Sequence, residues 1–206
     1  KYQYYYQAGA INTLLLAFFT VLFGTAIGVF IALFKLNKHR PVRWAASAYV
    51  EVIRGTPMLL QVMIAYYGLG SIIQFPEVYI LGSDMSRFLP GVIAMSINSG
   101  AYVAEIIRAG IQAVDKGQSE AARSLGLTSF KTMRFIILPQ ATRNILPALG
   151  NEFVTIIKES SVLSVNGIAD LMYNTGLVRS ATYIPLEPLY VTGIIYFIMT
   201  STLSRI

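Results

Sequence analysis

The sequence predicts an all-α integral membrane protein, with about five transmembrane helices and one short helix on the cytoplasmic side. Three observations lead there. Of the 206 residues, 55% are hydrophobic and only 13% are charged, against roughly 25% charged in a soluble domain. The stretch 8–34 holds no charge at all, and a bilayer core needs about 20 apolar residues as helix. The basic residues gather in short loops between such runs. Mean hydropathy is +0.59, which again places much of the chain in lipid.

The net charge of +6 does not mark a nucleic-acid partner, because membrane topology accounts for where the cations stand. There is no cysteine, so disulfides are excluded and the redox compartment leaves no trace. Tyr2, Tyr4, Tyr5 and Tyr6 are followed by no small-residue cleavage site, so no signal peptide is expected. A first residue other than Met and an apolar final run read as a segment trimmed at both ends.

The elements follow in order within a single transmembrane domain, 1–206. The first span is the charge-free run, about 8–34. The second runs over about 44–69 and the third over about 88–114. The fourth, about 130–157, contains Pro139 and Pro147. Neighbouring helices can satisfy the carbonyls these prolines free, and a kink is expected there. The fifth begins near 188 and reaches 206. Between the fourth and fifth, Asn166-Gly167 and Asn174-Thr175-Gly176 read as turns, with a short helix over 168–172.

Charge sets the orientation. Lys35, Lys38, Arg40 and Arg43 follow the first span, and Lys116, Arg123 and Lys131 follow the third. The loop after the second holds only Arg87, and the one after the fourth mainly Arg179. The positive-inside rule puts the first and third loops in the cytoplasm, the N-terminus outside and the C-terminus inside. The N-terminal tyrosines then suit an outer interfacial belt or simply begin a helix.

The polar stretch 117–127 is the most informative of the chain. Gln118, Ser119, Glu120 and Arg123 alternate with Ala121, Ala122, Leu125 and Leu127. Gln118 or Ser119 can start a helix there, and Gly126 suits its left-handed C-terminal turn. Taken alone, such a helix could lie flat on the membrane surface. Its wider pattern is Glu120-Ala121-Ala122, three residues, Gly126, nine residues, then Ile136-Ile137-Leu138-Pro139. It resembles the EAA loop of importer-type ABC transporter permeases, E-A-A-x3-G-x9-I-x-L-P, with every fixed position filled. Arg54-Gly55-Thr56-Pro57, Gly150-Asn151-Glu152-Phe153 and Lys158-Glu159-Ser160-Ser161-Val162-Leu163 resemble the polar amino acid branch in particular. Glu159 departs from the Asp or Asn that this branch often shows.

The resemblance implies the type I ABC importer transmembrane-domain architecture and a bacterial cytoplasmic (inner) membrane location. Gly117, Glu120, Ala121, Ala122, Ser124, Leu125 and Gly126 would dock on an ABC ATP-binding subunit, present in two copies. It also implies a second permease copy, identical or related, an extracytoplasmic solute-binding protein, and an amino acid cargo. The chain has no GxxxxGK[ST] phosphate loop, so no cofactor is expected in it. ATP and Mg2+ belong to the partner subunit, and this chain is not an enzyme.

Intramembrane acids are functional candidates by default. Glu51 and Glu105 sit at similar depth on antiparallel spans, each with an arginine three residues on, Arg54 and Arg108. Acid and base at that spacing share a helix face. They form either two intrahelical pairs or a crossed network, Glu51 with Arg108 and Glu105 with Arg54, closing an inner gate. Glu152 has no base nearby in its own apolar stretch, so it needs a partner on another helix or a cationic cargo; the resemblance implies that this part of the fourth helix faces substrate. Gln61, Asn98 and Ser99 lie near mid-membrane, where polar side chains line a pathway or act as packing glue. Ser160 and Ser161 could offer hydroxyls to a cargo carboxylate.

The expected function is therefore the membrane subunit of an ATP-driven importer of polar, mainly basic, amino acids by alternating access, glutamine being the other cargo to weigh. The competing class is a self-contained secondary transporter or channel for small cationic solutes. It calls for internal repeats, and the Glu-x-Ile-Arg echo is too short to be one.

Overall fold

The structure, a computed structural model, describes residues 2–80 and 83–205. Its long first helix, α1 (Gln3–Lys35), lies against α4 (Met85–Gln112) along most of its length. Small residues permit the approach. A Cβ on Gly24 would stand 2.9 Å from Ser99 Cβ, one on Gly28 would stand 2.5 Å from Val103 Cγ1, and one on Gly100 would stand 2.6 Å from Ile27 Cγ2. Gly24-xxx-Gly28 is the small-residue spacing by which membrane helices bring their backbones together. Among the described residues, α1 is the one helix long and apolar enough to cross a bilayer by itself.

The second expected span is two helices, α2 (Arg40–Gly55) and α3 (Met58–Ile72). Thr56 leaves the helical region, with φ −119° and ψ 148°, because the ring of Pro57 crowds the residue before it. Pro57 also lacks the N–H that would bond the Ile53 carbonyl. Gln61 repairs that loss: its Nε2 donates to Ile53 O at 2.6 Å, and also reaches Thr56 O and Oγ1. Thr56 Oγ1 donates in turn to Val52 O at 2.8 Å. A two-residue antiparallel pair, β1 (Tyr79–Ile80) with β2 (Ser83–Asp84), precedes α4. Asp84 caps α4, its Oδ1 accepting from the Ser86 N–H at 2.9 Å.

After the short helix α5 (Lys116–Ser124) comes a longer, interrupted one. It begins as α6 (Ser129–Thr132), widens to a π turn over Met133–Ile137, and continues as α7 (Leu138–Glu159). Just before Pro139, where a kink is expected, the helix carries this π turn: a proline removes a backbone donor, and the turn before it opens. A 3-10 segment, Ser160–Asn166, ends at Gly167 with φ +75°, the turn expected at Asn166-Gly167. The next helix differs from expectation. α8 runs Leu171–Thr182, straight through Asn174-Thr175-Gly176. It starts where Asp170 Oδ1 accepts from the Tyr173 N–H at 2.8 Å. Thr175 Oγ1 then donates back to Leu171 O at 2.7 Å, so polar residues that favour turns are absorbed into the helix. α9 (Glu187–Leu203) closes the chain.

The main core joins α1, α4, α7 and the 3-10 segment through Leu16, Ala17, Phe88, Met95, Ile156 and Leu163. A second cluster, Ala32, Val50, Ala101 and Ala104, ties α2 to the other end of α1 and α4. These contacts hold α4 and α7 side by side, which positions the polar groups between them.

Candidate functional site

Glu152 projects from α7 against α4. It is 9% exposed, and its Oε1 accepts from Ser99 Oγ at 2.9 Å. No ion pair to Glu152 exists among the described residues, and its Oε2 has no hydrogen-bond partner there. One residue earlier on α4 stands an amide pair. Asn98 Nδ2 donates to Gln61 Oε1 at 2.7 Å, while the Gln61 amine is held at the α2–α3 break. Four of the residues singled out in the sequence, Gln61, Asn98, Ser99 and Glu152, thus form two hydrogen-bonded pairs anchored on consecutive positions of α4. Of these, Glu152 offers a carboxylate with an open acceptor oxygen, a group suited to a cationic solute.

Ser160 and Ser161 are not brought into this group. Their hydroxyls turn back on their own helix, Ser160 Oγ to Ile157 O at 2.8 Å and Ser161 Oγ to Lys158 O at 2.7 Å. At 1.5 Å of rise per residue, they stand roughly 12 Å along the helix from Glu152.

Glu51 and Glu105 pair differently from the crossed network. Glu105 bonds Arg108, three residues on, and Lys35 Nζ of α1 at 2.8 Å. Arg54 lies with its guanidinium 5.4 Å from the Tyr102 ring centroid, and Glu51 is exposed. Neither Glu51–Arg108 nor Glu105–Arg54 forms among the described residues. Lys35 was not among the expected partners. It reaches Glu105 because the glycine contacts draw the end of α1 against α4.

The polar helix α5 starts earlier than Gln118 or Ser119. Asp115 caps it, Oδ1 accepting from the Gly117 N–H at 2.7 Å. Its C-terminus is a Schellman turn: Leu127 N–H donates to Ala122 O, Gly126 N–H donates to Arg123 O, and Gly126 has φ +83°. Gly117, Glu120, Ala121, Ser124 and Leu125 face outward, Leu125 with 82% of its surface exposed. Ala122 is buried, so only one of the two alanines belongs to the outer face.

Residues 24–206 match the binding-protein-dependent transport system inner membrane component family. The chain belongs to this family. It is 43% identical over 198 residues to the arginine transport system permease protein ArtQ of Bacillus subtilis (strain 168), and 44% identical over 198 residues to the putative glutamine transport system permease protein GlnP of Rickettsia felis (strain ATCC VR-1525 / URRWXCal2). Each alignment covers 96% of this chain and 87% of the relative. A solved amino acid ABC transporter crystallised with histidines is 50% identical and superposes with a TM-score of 0.90, covering 100% of this chain and 92% of that one. The fold is therefore that of the type I importer transmembrane domain, and the chain is a membrane permease component of an amino acid ABC transporter.

Proposed function

We propose that this permease carries basic amino acids into the cell, with Glu152 receiving the cationic end of the cargo. In this reading five spans cross the membrane, with α2 and α3 together forming the second. The N-terminus is outside, and α5 lies in the cytoplasm. The chain works beside a second permease copy. Two ATP-binding subunits bind ATP and Mg2+ and dock on the outward face of α5, while a solute-binding protein delivers cargo from outside. Closure of the ATP-binding pair moves α5, and the helices exchange an outward-open for an inward-open pathway.

The observation that carries the reading is Glu152 itself. A carboxylate in a span is kept only where something offsets its desolvation. Ser99 occupies one oxygen, and the other is left for a guanidinium, ammonium or imidazolium group. The relative named for arginine transport and the solved transporter crystallised with histidines agree with a cationic cargo. A second reading, glutamine, rests on the relative named for glutamine transport and on the Gln61–Asn98 amide pair.

Proteoliposomes holding the complete transporter decide between them. Uptake of labelled arginine that excess lysine or histidine blocks, and excess glutamine does not, supports the basic reading. Uptake blocked by glutamine alone replaces it with the second.

A further inference from the structure

We infer that Gln140 is a positioning residue that ties α5 to the cargo-bearing helix α7; this rests on the proposed role of α5 as the docking helix for the ATP-binding subunit. The side-chain amine of Gln140 has two neighbours. It donates to Ile136 O at 2.8 Å, inside the π turn, and lies 3.3 Å from Gln118 Oε1 on α5. α5 also packs directly against the π turn.

The location gives the contact its meaning. A π turn inside a helix is rare and is frequently found at functional sites. Pro139 adds a missing N–H one residue before Gln140. The helix running from Ser129 to Glu159 thus carries two adjacent irregularities where α5 touches it, the π turn and Pro139. Beyond that point α7 continues as helix to Glu152, about 18 Å along the axis, with Pro147 leaving one further backbone bond unmade. A displacement of α5 pulls on Gln118, Gln118 pulls on Gln140, and α7 turns about the π turn with Glu152 on its far half. Asn at position 140 would be one methylene too short to reach both acceptors, and Glu would lack the donor.

The test uses the assembled transporter in proteoliposomes, with labelled arginine and glutamine as the probes, and reads solute moved per ATP hydrolysed. Gln140→Ala and Gln118→Ala each lower that ratio about fivefold, the size of one net hydrogen bond. The double variant is no worse than either single. Gln118→Glu, which keeps the acceptor, retains the native ratio, an outcome that a general loss of packing would not give. If the native ratio survives in Gln140→Ala, or if Gln118→Glu fails as badly as Gln118→Ala, the link is overturned. If Gly126→Val, which distorts the end of α5, leaves the native ratio unchanged, the docking role of α5 falls, and this inference falls with it.

Discussion

Ser99 donates to Glu152 across the α4–α7 boundary at 2.9 Å, and Gly24 of α1 makes room for it from behind. A methyl group on Gly24 would stand 2.9 Å from both Cβ and Oγ of Ser99. The serine is fully buried, so it cannot yield to solvent. Gly24→Ala should cost about 1–3 kcal/mol of stability by overpacking and push Ser99 off the carboxylate. Thermal unfolding in detergent checks the first effect. Weakened cargo-stimulated ATP hydrolysis in the reconstituted complex checks the second.

Gln61 mends the break that Pro57 makes. Removing its side chain strands the Ile53 carbonyl and the Asn98 amide together, so Gln61→Ala should destabilise by about 1–3 kcal/mol. Pro57→Ala restores a backbone N–H four residues after Ile53. The Pro57→Ala, Gln61→Ala pair should therefore lose clearly less than the sum of the two single changes. A double-mutant cycle on unfolding midpoints measures it, and strict additivity would contradict the repair.

Much of the architecture could be read from residues. The charge-free run of α1 and the apolar runs of α4 and α9 set helix bounds close to those observed, because hydropathy is a local property. The α2–α3 break escaped because hydropathy continues across it; its signal was Pro57, with Gln61 one turn further on. Glu152 stood out as an acid without a nearby base, and Asn98 and Ser99 by their depth. That they pair with Gln61 and Glu152 was not legible, since pairing across helices depends on rotation about each axis. The same holds for Lys35 and Glu105, which meet only because Gly24 and Gly28 let α1 close on α4. α5 starts from its cap Asp115, ahead of Gln118 and Ser119, because the Asp115 carboxylate accepts from the Gly117 N–H.

Asp170 predicts a pH dependence. It caps α8 beyond the proposed spans and is fully buried. Burial pushes its carboxyl up from 3.8 to about 7, against the opposing pull of the Tyr173 N–H. The folded chain therefore holds this proton more tightly than the unfolded chain. Stability from this group is greatest below about pH 4 and declines as pH rises towards 7. Asp170→Asn keeps an acceptor for Tyr173 and removes the titration. Unfolding midpoints measured from pH 5 to pH 8 should fall in the native chain and flatten in the variant.

Gly126 closes the Schellman turn at φ +83°, a conformation that costs an ordinary residue about 1–2 kcal/mol. Gly126→Val should distort the end of α5 while leaving the transmembrane helices inserted. The expected phenotype is a transporter that assembles in the membrane and hydrolyses ATP with little uptake. Parallel uptake and hydrolysis rates check it, and normal uptake per ATP would count against α5 as the docking helix.

The most direct test of the account is the ATPase rate of the complete transporter in lipid, with and without arginine, for the native chain and Glu152→Gln. The account predicts that arginine stimulates hydrolysis in the native complex and that Glu152→Gln abolishes the stimulation while sparing the basal rate. Stimulation that persists undiminished in Glu152→Gln would contradict it, and would leave Glu152 as a structural partner of Ser99 alone.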